Sequence, residues 1–364
     1  MSEKHISNAI RCVGVDDTTI RLFEGQYPVP NGVSYNSYVI LDEKVAVMDT
    51  VDRRGTVSWM RNVEEALAGR KPDYLVIQHM EPDHAGSIGL LAEKYPDMTL
   101  VGNAKTFTMF PKFFPGEYTG RQITVKEGDT LSLGSHTLHF VMAPMVHWPE
   151  VMVSYEDSEK VLFSADGFGK FGALEQEGEW LDEARRYYLN IVGKYGSQVQ
   201  TLLKKAAALD IQTICPLHGP VLRENLGYYI GKYDLWSRYE PEEEGVLIAY
   251  ASIHGNTAKA AGLMRGILEE QGCRKVSVMD LSRCDQSAAV AEAFRYGKMV
   301  AMSSTYDGGL FPPMDQFMAH LRDKTYRSRR VALIENGSWA PSAAKHMRTY
   351  LEAMKDITIC ETVH

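Results

Sequence analysis

The sequence predicts a chain of two unlike halves: an αββα-type sandwich (α+β) over residues 1–245 and a doubly wound parallel α/β sheet over residues 246–364. Three observations carry this expectation. The run Tyr239-Glu240-Pro241-Glu242-Glu243-Glu244-Gly245 is acidic and contains proline, and it reads as a solvated linker. Before it, apolar strand-like runs and helical patterns mix without strict alternation. After it, strand and helix patterns alternate regularly, which calls for a parallel sheet with helices on both faces. A length of 364 residues fits two domains at ~150 residues each.

In the first half, Ser37–Leu41 and Val45–Asp49 are β-type runs split by Asp42-Glu43-Lys44, a hairpin pattern. Val57–Ala68 and Ala85–Tyr95 have helical periodicity. Tyr74–Gln78, Met98–Gly102, Thr137–Ala143 and Val161–Ala165 are further apolar runs ending in polar or glycine-rich segments. In the second half the expected strands are Val246–Tyr250, Lys275–Leu281, Lys298–Ser303, Arg330–Glu335 and Ile357–Thr362. The helical patterns between them are Thr257–Gln271, Gln286–Tyr296, Met314–Leu321 and Ser342–Met354. The chain stops just after the fifth strand, so a closing helix is expected to be missing.

Composition narrows the function. Acids outnumber bases 47 to 39, a net charge of −8, which disfavours nucleic-acid binding through a basic face. Hydrophobic residues at 45% supply enough apolar material for two cores. No apolar run approaches the ~18 residues needed to span a bilayer, and Met1–Ser7 lacks a signal-peptide core. The five cysteines form no CxxC pair, which argues against a disulfide framework, a zinc ribbon or a rubredoxin-type module within this chain, and for a reducing cytoplasm.

Chemistry-bearing residues gather where apolar runs end. Tyr74–Gln78 leads into His79-Met80-Glu81-Pro82-Asp83-His84. Pro82 ends a regular strand, so the four ligand-type side chains are expected on a loop, with His79, Glu81 and Asp83 able to point one way. Burying so many is costly unless a metal neutralises them. His147, Asp166 and His218 follow at the ends of other apolar runs. Seven residues would give two metals three or four ligands each, with Asp166 able to bridge. Histidine plus carboxylate suits non-haem iron or manganese, with zinc also open. Taken singly, His147 or His218 reads more readily as a core histidine and Asp166 as a turn residue.

A second set lies in the second half. Ser252, Ile253, His254, Gly255, Asn256 and Thr257 link the first strand to a helix, where N–H groups and the helix dipole cradle an anion. A plain capped turn fits the same residues. Ser304, Thr305, Tyr306, Asp307 and Gly308 follow the third strand, and Gly337, Ser338 and Trp339 the fourth. Tyr306 and Trp339 could flank a flat ring, although Trp339 alone also reads as a partly buried surface aromatic.

The HxExDH motif with later His147, Asp166 and His218 resembles the metallo-β-lactamase fold, whose zinc hydrolases carry HxHxDH. With Glu81 in place of the second histidine, and with His147-Trp148-Pro149-Glu150 and Ser164-Ala165-Asp166-Gly167, the chain is similar to the flavodiiron proteins (A-type flavoproteins). The second-half loops resemble flavodoxin, with Asp307 where that family often has Asn and with His254 an unusual loop member. The resemblance implies FMN bound by residues 252–257, 304–308 and 337–339. It implies a first iron on His79, Glu81, His147 and Asp166, and a second on Asp83, His84, Asp166 and His218. Tyr195 would line the pocket for a diatomic gas. The implied activity is reduction of dioxygen to water or of nitric oxide to nitrous oxide, with electrons from a separate donor such as rubredoxin. It further implies a head-to-tail homodimer or a dimer of dimers. Direct nicotinamide oxidation is not expected. Two other readings remain: a zinc hydrolase with a regulatory flavodoxin domain, and an electron-transfer module on an inert scaffold.

Overall fold

The structure is a computed structural model that describes residues 5–116, 118–176 and 178–364. The chain forms two compact units. One runs to Tyr187 and includes Ser197–Gly231; the other is Tyr188–Gly196 with Lys232–His364.

The first unit is a sandwich of two sheets. One has six strands in the order Ile10–Cys12, Tyr38–Leu41, Val45–Met48, Tyr74–Val76, Thr99–Asn103 and Gln122–Val125. The expected hairpin pairs antiparallel, Tyr38 opposite Met48, and the strands from Val45–Met48 onward run parallel. The other sheet orders Thr130–Ser132, Thr137–Met142, Met152–Glu156, Val161–Phe163 and Thr213–Cys215. Tyr38, Ile40, Met48, Val76 and Val101 from the first sheet pack against Leu138, Phe140, Met152 and Phe163 from the second. Helix Thr56–Leu67 buries Trp59, Val63 and Leu67, four residues apart, and packs on Tyr38–Leu41. The layers are those of an αββα sandwich.

The second unit has five parallel strands in the order Val276–Asp280, Glu243–Ala251, Tyr296–Tyr306, Arg329–Asn336, Ile357–Val363. This 2-1-3-4-5 order is that of flavodoxin-like doubly wound sheets. Ile248 and Met302 pack against Ala261 of helix Asn256–Glu270.

Three details differ from the sequence expectation. The acidic run is not a solvated linker throughout. Tyr239 is buried and donates its hydroxyl to Gly193 O at 2.8 Å. Glu242 accepts from Trp236 Nε1 at 3.1 Å and pairs with Lys232 at 2.7 Å, and Glu243 opens the first strand. Neutralisation by neighbouring cations and an indole lets these acids join the fold. The pattern Ala85–Tyr95 is two helices, Pro82–Ala85 and Ile88–Lys94, separated by Gly86 and Ser87. Finally, Asp307 (φ 48°) and Gly308 (φ 73°) form a tight hairpin turn joining Tyr296–Tyr306 to Gly309–Leu310. Two consecutive left-handed residues at an Asp-Gly pair are the signature of a type I′ turn.

Candidate functional site

Pro82 decides how the ligand-type residues divide. Rather than prolonging an extended loop, it takes the first position of a helical turn, where its missing N–H costs nothing. His79 and Glu81 precede that turn, whereas Asp83 and His84 lie within it. The expected alternation of His79, Glu81 and Asp83 on one side is therefore not what the structure shows. His79 and Glu81 join His147 and Asp166, while Asp83 and His84 join His218.

In the first group His147 Nε2 lies 3.0 Å from Glu81 Oε2 and 3.1 Å from Asp166 Oδ2. His79 Nε2 is 3.2 Å from Glu81 Oε2 and 3.4 Å from Asp166 Oδ2. In the second group His84 Nε2 is 3.1 Å from His218 Nε2 and 3.3 Å from Asp83 Oδ2. Asp166 Oδ1 stands 3.1 Å from His84 Nε2 and 3.9 Å from His218 Nε2. Asp166 thus presents one oxygen to each group.

These side chains are held from behind. Glu150 Oε1 faces His79 Nδ1 at 2.9 Å and accepts the Met80 N–H at 2.8 Å. His218 Nδ1 donates to Ser34 O at 2.7 Å. Asp49 accepts the backbone N–H groups of Gln78 (2.8 Å) and His79 (3.3 Å). Asp166 follows Ala165 in left-handed backbone and sits in a turn closed by the Gly167 N–H to Ser164 O. It is a turn residue and a cluster residue at once. Phe23, Tyr35 and Tyr187 surround His218, with ring centroids at 5.5, 5.9 and 5.4 Å.

Charge is concentrated here among buried side chains. Burial works against a charged His79, but Asp166, Glu150 and Glu81 outweigh it and hold the imidazole well above its ordinary value. Burial opposes protonation of His147 in the same way, yet Asp166 and Glu81 raise it to about 9. Burial would raise Asp166, and the surrounding histidines hold it well below the carboxylate range. Both oxygens of Asp83 and of Asp166, and His147 Nε2, are buried with no hydrogen bond among the described residues. Buried polar atoms are almost always satisfied. Oxygens and an imidazole nitrogen left this way, converging in two groups, fit two cations and suit iron or manganese.

A cavity of about 360 Å³ opens beside Glu81 and Asp83, lined also by Phe23, Glu24, Tyr35 and Arg54. Glu24 is pushed up to about 7, by burial first and then by Glu81. Sequence reading gave no role to Glu24, Tyr35, Asp49 or Glu150, although Glu150 closes the His147-Trp148-Pro149-Glu150 motif.

In the second unit, the three loops leave the carboxyl ends of neighbouring parallel strands, as such ligand sites require. Gly255 (φ 89°) precedes helix Asn256–Glu270, and its N–H donates to Ser252 Oγ at 3.1 Å. Thr257 is buried with its hydroxyl 3.1 Å from that of Ser304, while Ile253 and His254 are exposed. Thr305 Oγ1 accepts the N–H groups of Ser342 (2.8 Å) and Ala343 (3.1 Å), so it caps helix Ala343–Glu352. Gly337 lies so close to Pro341 that a Cβ would stand 3.1 Å from it. Tyr306 and Trp339 are exposed, Trp339 at 83%, so it is not a partly buried aromatic. Hydroxyls and a glycine at a helix start, with exposed aromatics on adjacent loops, fit a phosphate and a flat ring. Tyr195 ends the 3-10 turn Gly193–Tyr195 of this second unit and is half-buried; every side chain grouped above belongs to the first.

Comparison with known proteins agrees with the geometry. Residues 33–219 match the family model described as ODP family beta lactamase. The chain is 30% identical over 361 residues to the anaerobic nitric oxide reductase flavorubredoxin of Aliivibrio fischeri, covering 95% of this chain and 72% of that protein. It is 29% identical over 360 residues to the flavorubredoxin of Vibrio vulnificus, with the same coverage. The rubredoxin oxygen:oxidoreductase of Desulfovibrio gigas superposes with a TM-score of 0.91 at 27% identity, over 99% of this chain and 92% of that one. The flavodiiron protein of Giardia intestinalis shares the fold with a TM-score of 0.92 at 24% identity, over 99% and 91% of the two chains. A buried histidine–carboxylate cluster split in two by a shared aspartate, on a sandwich joined to a flavodoxin-like sheet, together with these relatives, places the chain in the flavodiiron protein family, a family of oxidoreductases named for flavin and iron.

Proposed function

We propose that this chain is a flavodiiron reductase that reduces dioxygen to water, nitric oxide to nitrous oxide, or both. The observation that carries the reading is Asp166 between two groups of buried ligand-type side chains, with Glu81 in the first. His79, Glu81, His147 and Asp166 would hold one iron; Asp83, His84, Asp166 and His218 would hold the other. Bound iron would supply electrons and open positions for a diatomic gas, and bound FMN would take electrons in pairs and release them singly. Glu150 and the Ser34 carbonyl fix the His79 and His218 rings, so that Nε2 of each faces its group. Phe23, Tyr35 and Tyr187 exclude water from His218. Residues 252–257 would hold the FMN phosphate, and Ser304, Thr305, Tyr306, Asp307, Gly308, Gly337, Ser338 and Trp339 the ring.

Electrons would come from a donor such as rubredoxin, the partner that the name of the Desulfovibrio gigas relative carries. A head-to-tail homodimer, or a dimer of dimers, with Tyr195 lining the gas pocket belongs to the same reading. So does a cytoplasmic setting, consistent with the lack of CxxC pairs. No helix among the described residues is long and apolar enough to cross a membrane.

The test uses anaerobically purified protein loaded with FMN and iron and reduced by a chemical donor. Dioxygen and nitric oxide consumption are followed separately by electrode. Loss of one gas, abolished by His79→Ala, supports the reductase and ranks the gases. If neither gas is consumed with two irons and one FMN bound, the reductase reading fails and lactam and thioester hydrolysis are assayed instead.

A further inference from the structure

The first unit carries a second cavity, larger than the one beside Glu81, of about 840 Å³. That volume falls in the range of small-molecule sites, ~300–1,000 Å³. It lies outside the ligand cluster and has no part in the reaction above. Its floor is the outer side of the Pro82–Gly86 turn, and its far wall is aromatic, with Phe113, Phe114 and Tyr118. Phe114 and Tyr118 are braced on Phe110, with ring centroids 4.8 and 5.2 Å away.

Two features make this more than an apolar dent. First, glycines stand where the floor meets its neighbours: a Cβ on Gly89 would touch the Phe114 ring at 3.5 Å, and one on Gly86 would clash with the Pro82 carbonyl oxygen at 2.5 Å. Second, the polar groups at its edge are mostly cationic. Arg53 is exposed, and Arg121 is half-buried beside the Tyr118 ring at 5.6 Å, donating to the Ala92 and Tyr95 carbonyls. Among the described residues neither guanidinium has a carboxylate within ion-pair distance, and Glu93 is the one acid lining the cavity. A guanidinium beside an aromatic wall recognises a flat apolar group that ends in an anion: the ring stacks, and the carboxylate meets the fork of N–H donors.

We propose that this cavity binds a small aromatic carboxylate, its ring against Phe113 and Phe114 and its carboxylate on Arg53. The site is separate from both sets of residues assigned above. Its floor carries Asp83 and His84 on the opposite side of one helical turn, so a bound molecule would press on the segment that places them.

The probe is 2-naphthoate, titrated by calorimetry into the FMN- and metal-loaded protein, with the neutral 2-naphthamide as its control. We expect one molecule bound per chain, at least fivefold tighter for the acid than for the amide. Arg53→Ala should remove that preference. Leu90→Asp should weaken the acid at least tenfold, because Leu90 lines the cavity, is half exposed and can accept a polar side chain without loss of core. Circular dichroism and FMN content check that both variants stay folded. No binding up to millimolar naphthoate overturns the proposal. So does binding unaffected by Leu90→Asp, which would put the ligand elsewhere. Equal affinity for acid and amide, unchanged by Arg53→Ala, overturns the assignment of an anionic ligand.

Discussion

In the first unit the seven ligand-type side chains are buried or nearly so, and each is fixed by packing, a carboxylate or a backbone carbonyl. In the second, Ile253, Tyr306 and Trp339 stand in solvent, and the polar contacts are made largely by loop hydroxyls and backbone N–H groups. The contrast follows from what each would hold on the proposed reading. Compact cations need several charged ligands at set distances, which only a rigid, dry frame provides. A phosphate with a flat ring needs directed N–H groups and an accessible face, which loops at strand ends provide.

The sharpest way to break this contrast is His79→Ala. It should cut gas consumption by about 100-fold or more and lower iron content, while FMN content stays the same. Loss of FMN as well would show that the two sites do not form independently. Glu150→Gln keeps the hydrogen bond to His79 and removes its charge. Metal affinity, read by competition with a chelator, should fall by ~10–100-fold. No change would mean that packing alone orients the ring. Gly255→Val should act on the other side of the comparison. A left-handed β-branched residue costs roughly 1–2 kcal/mol, so FMN should bind about tenfold more weakly with iron content unaltered.

The smallest effect belongs to His136, at the opposite end of the sandwich strands. Its ring lies 2.8 Å from Asp42 and 3.3 Å from Glu159, and so joins the turns of the two sheets. Burial works against a charged His136, and the two carboxylates raise it nonetheless. Burial would raise Asp42, but bonds from the His136 side chain and backbone lower it to about 2. The histidine's contribution is complete below about 6.5, its unfolded value, and fades as pH rises through the higher folded value. The aspartate's contribution is complete above about 4 and fades as pH falls toward 2. The unfolding free energy of His136→Gln from urea titration should therefore trail the parent's most between pH 4 and 6.5, by about 1 kcal/mol, with the gap narrowing as pH rises through the histidine's folded value. A gap independent of pH would assign the effect to packing.

Strand and helix placement was legible because periodicity and loop residues act locally. Val45–Met48, Ile357–Val363 and the four helices of the second unit fall within a few residues of expectation. The ligand types were legible too, since so many buried acids and imidazoles have few other uses. Their division was not. It depends on Pro82 starting a helix, a choice between two roles that local sequence leaves open. Glu150 and Asp49 were hidden for another reason. Each acts through a neighbour brought close by sheet packing, Glu150 on a ring 71 residues away. The Asp307–Gly308 hairpin could have been read from its dipeptide.

His79, Glu81, Asp83 and His84 follow a strand of one sheet, while His147, Asp166 and His218 follow strands of the other. Each group of ligands therefore draws on both layers. An ion held there acts as a rivet through the sandwich: its binding energy counts toward the packing of the two sheets. Half-docked layers offer it only part of a coordination sphere. Metal uptake would then double as a check on assembly, completed only by a chain whose sheets have already found their register.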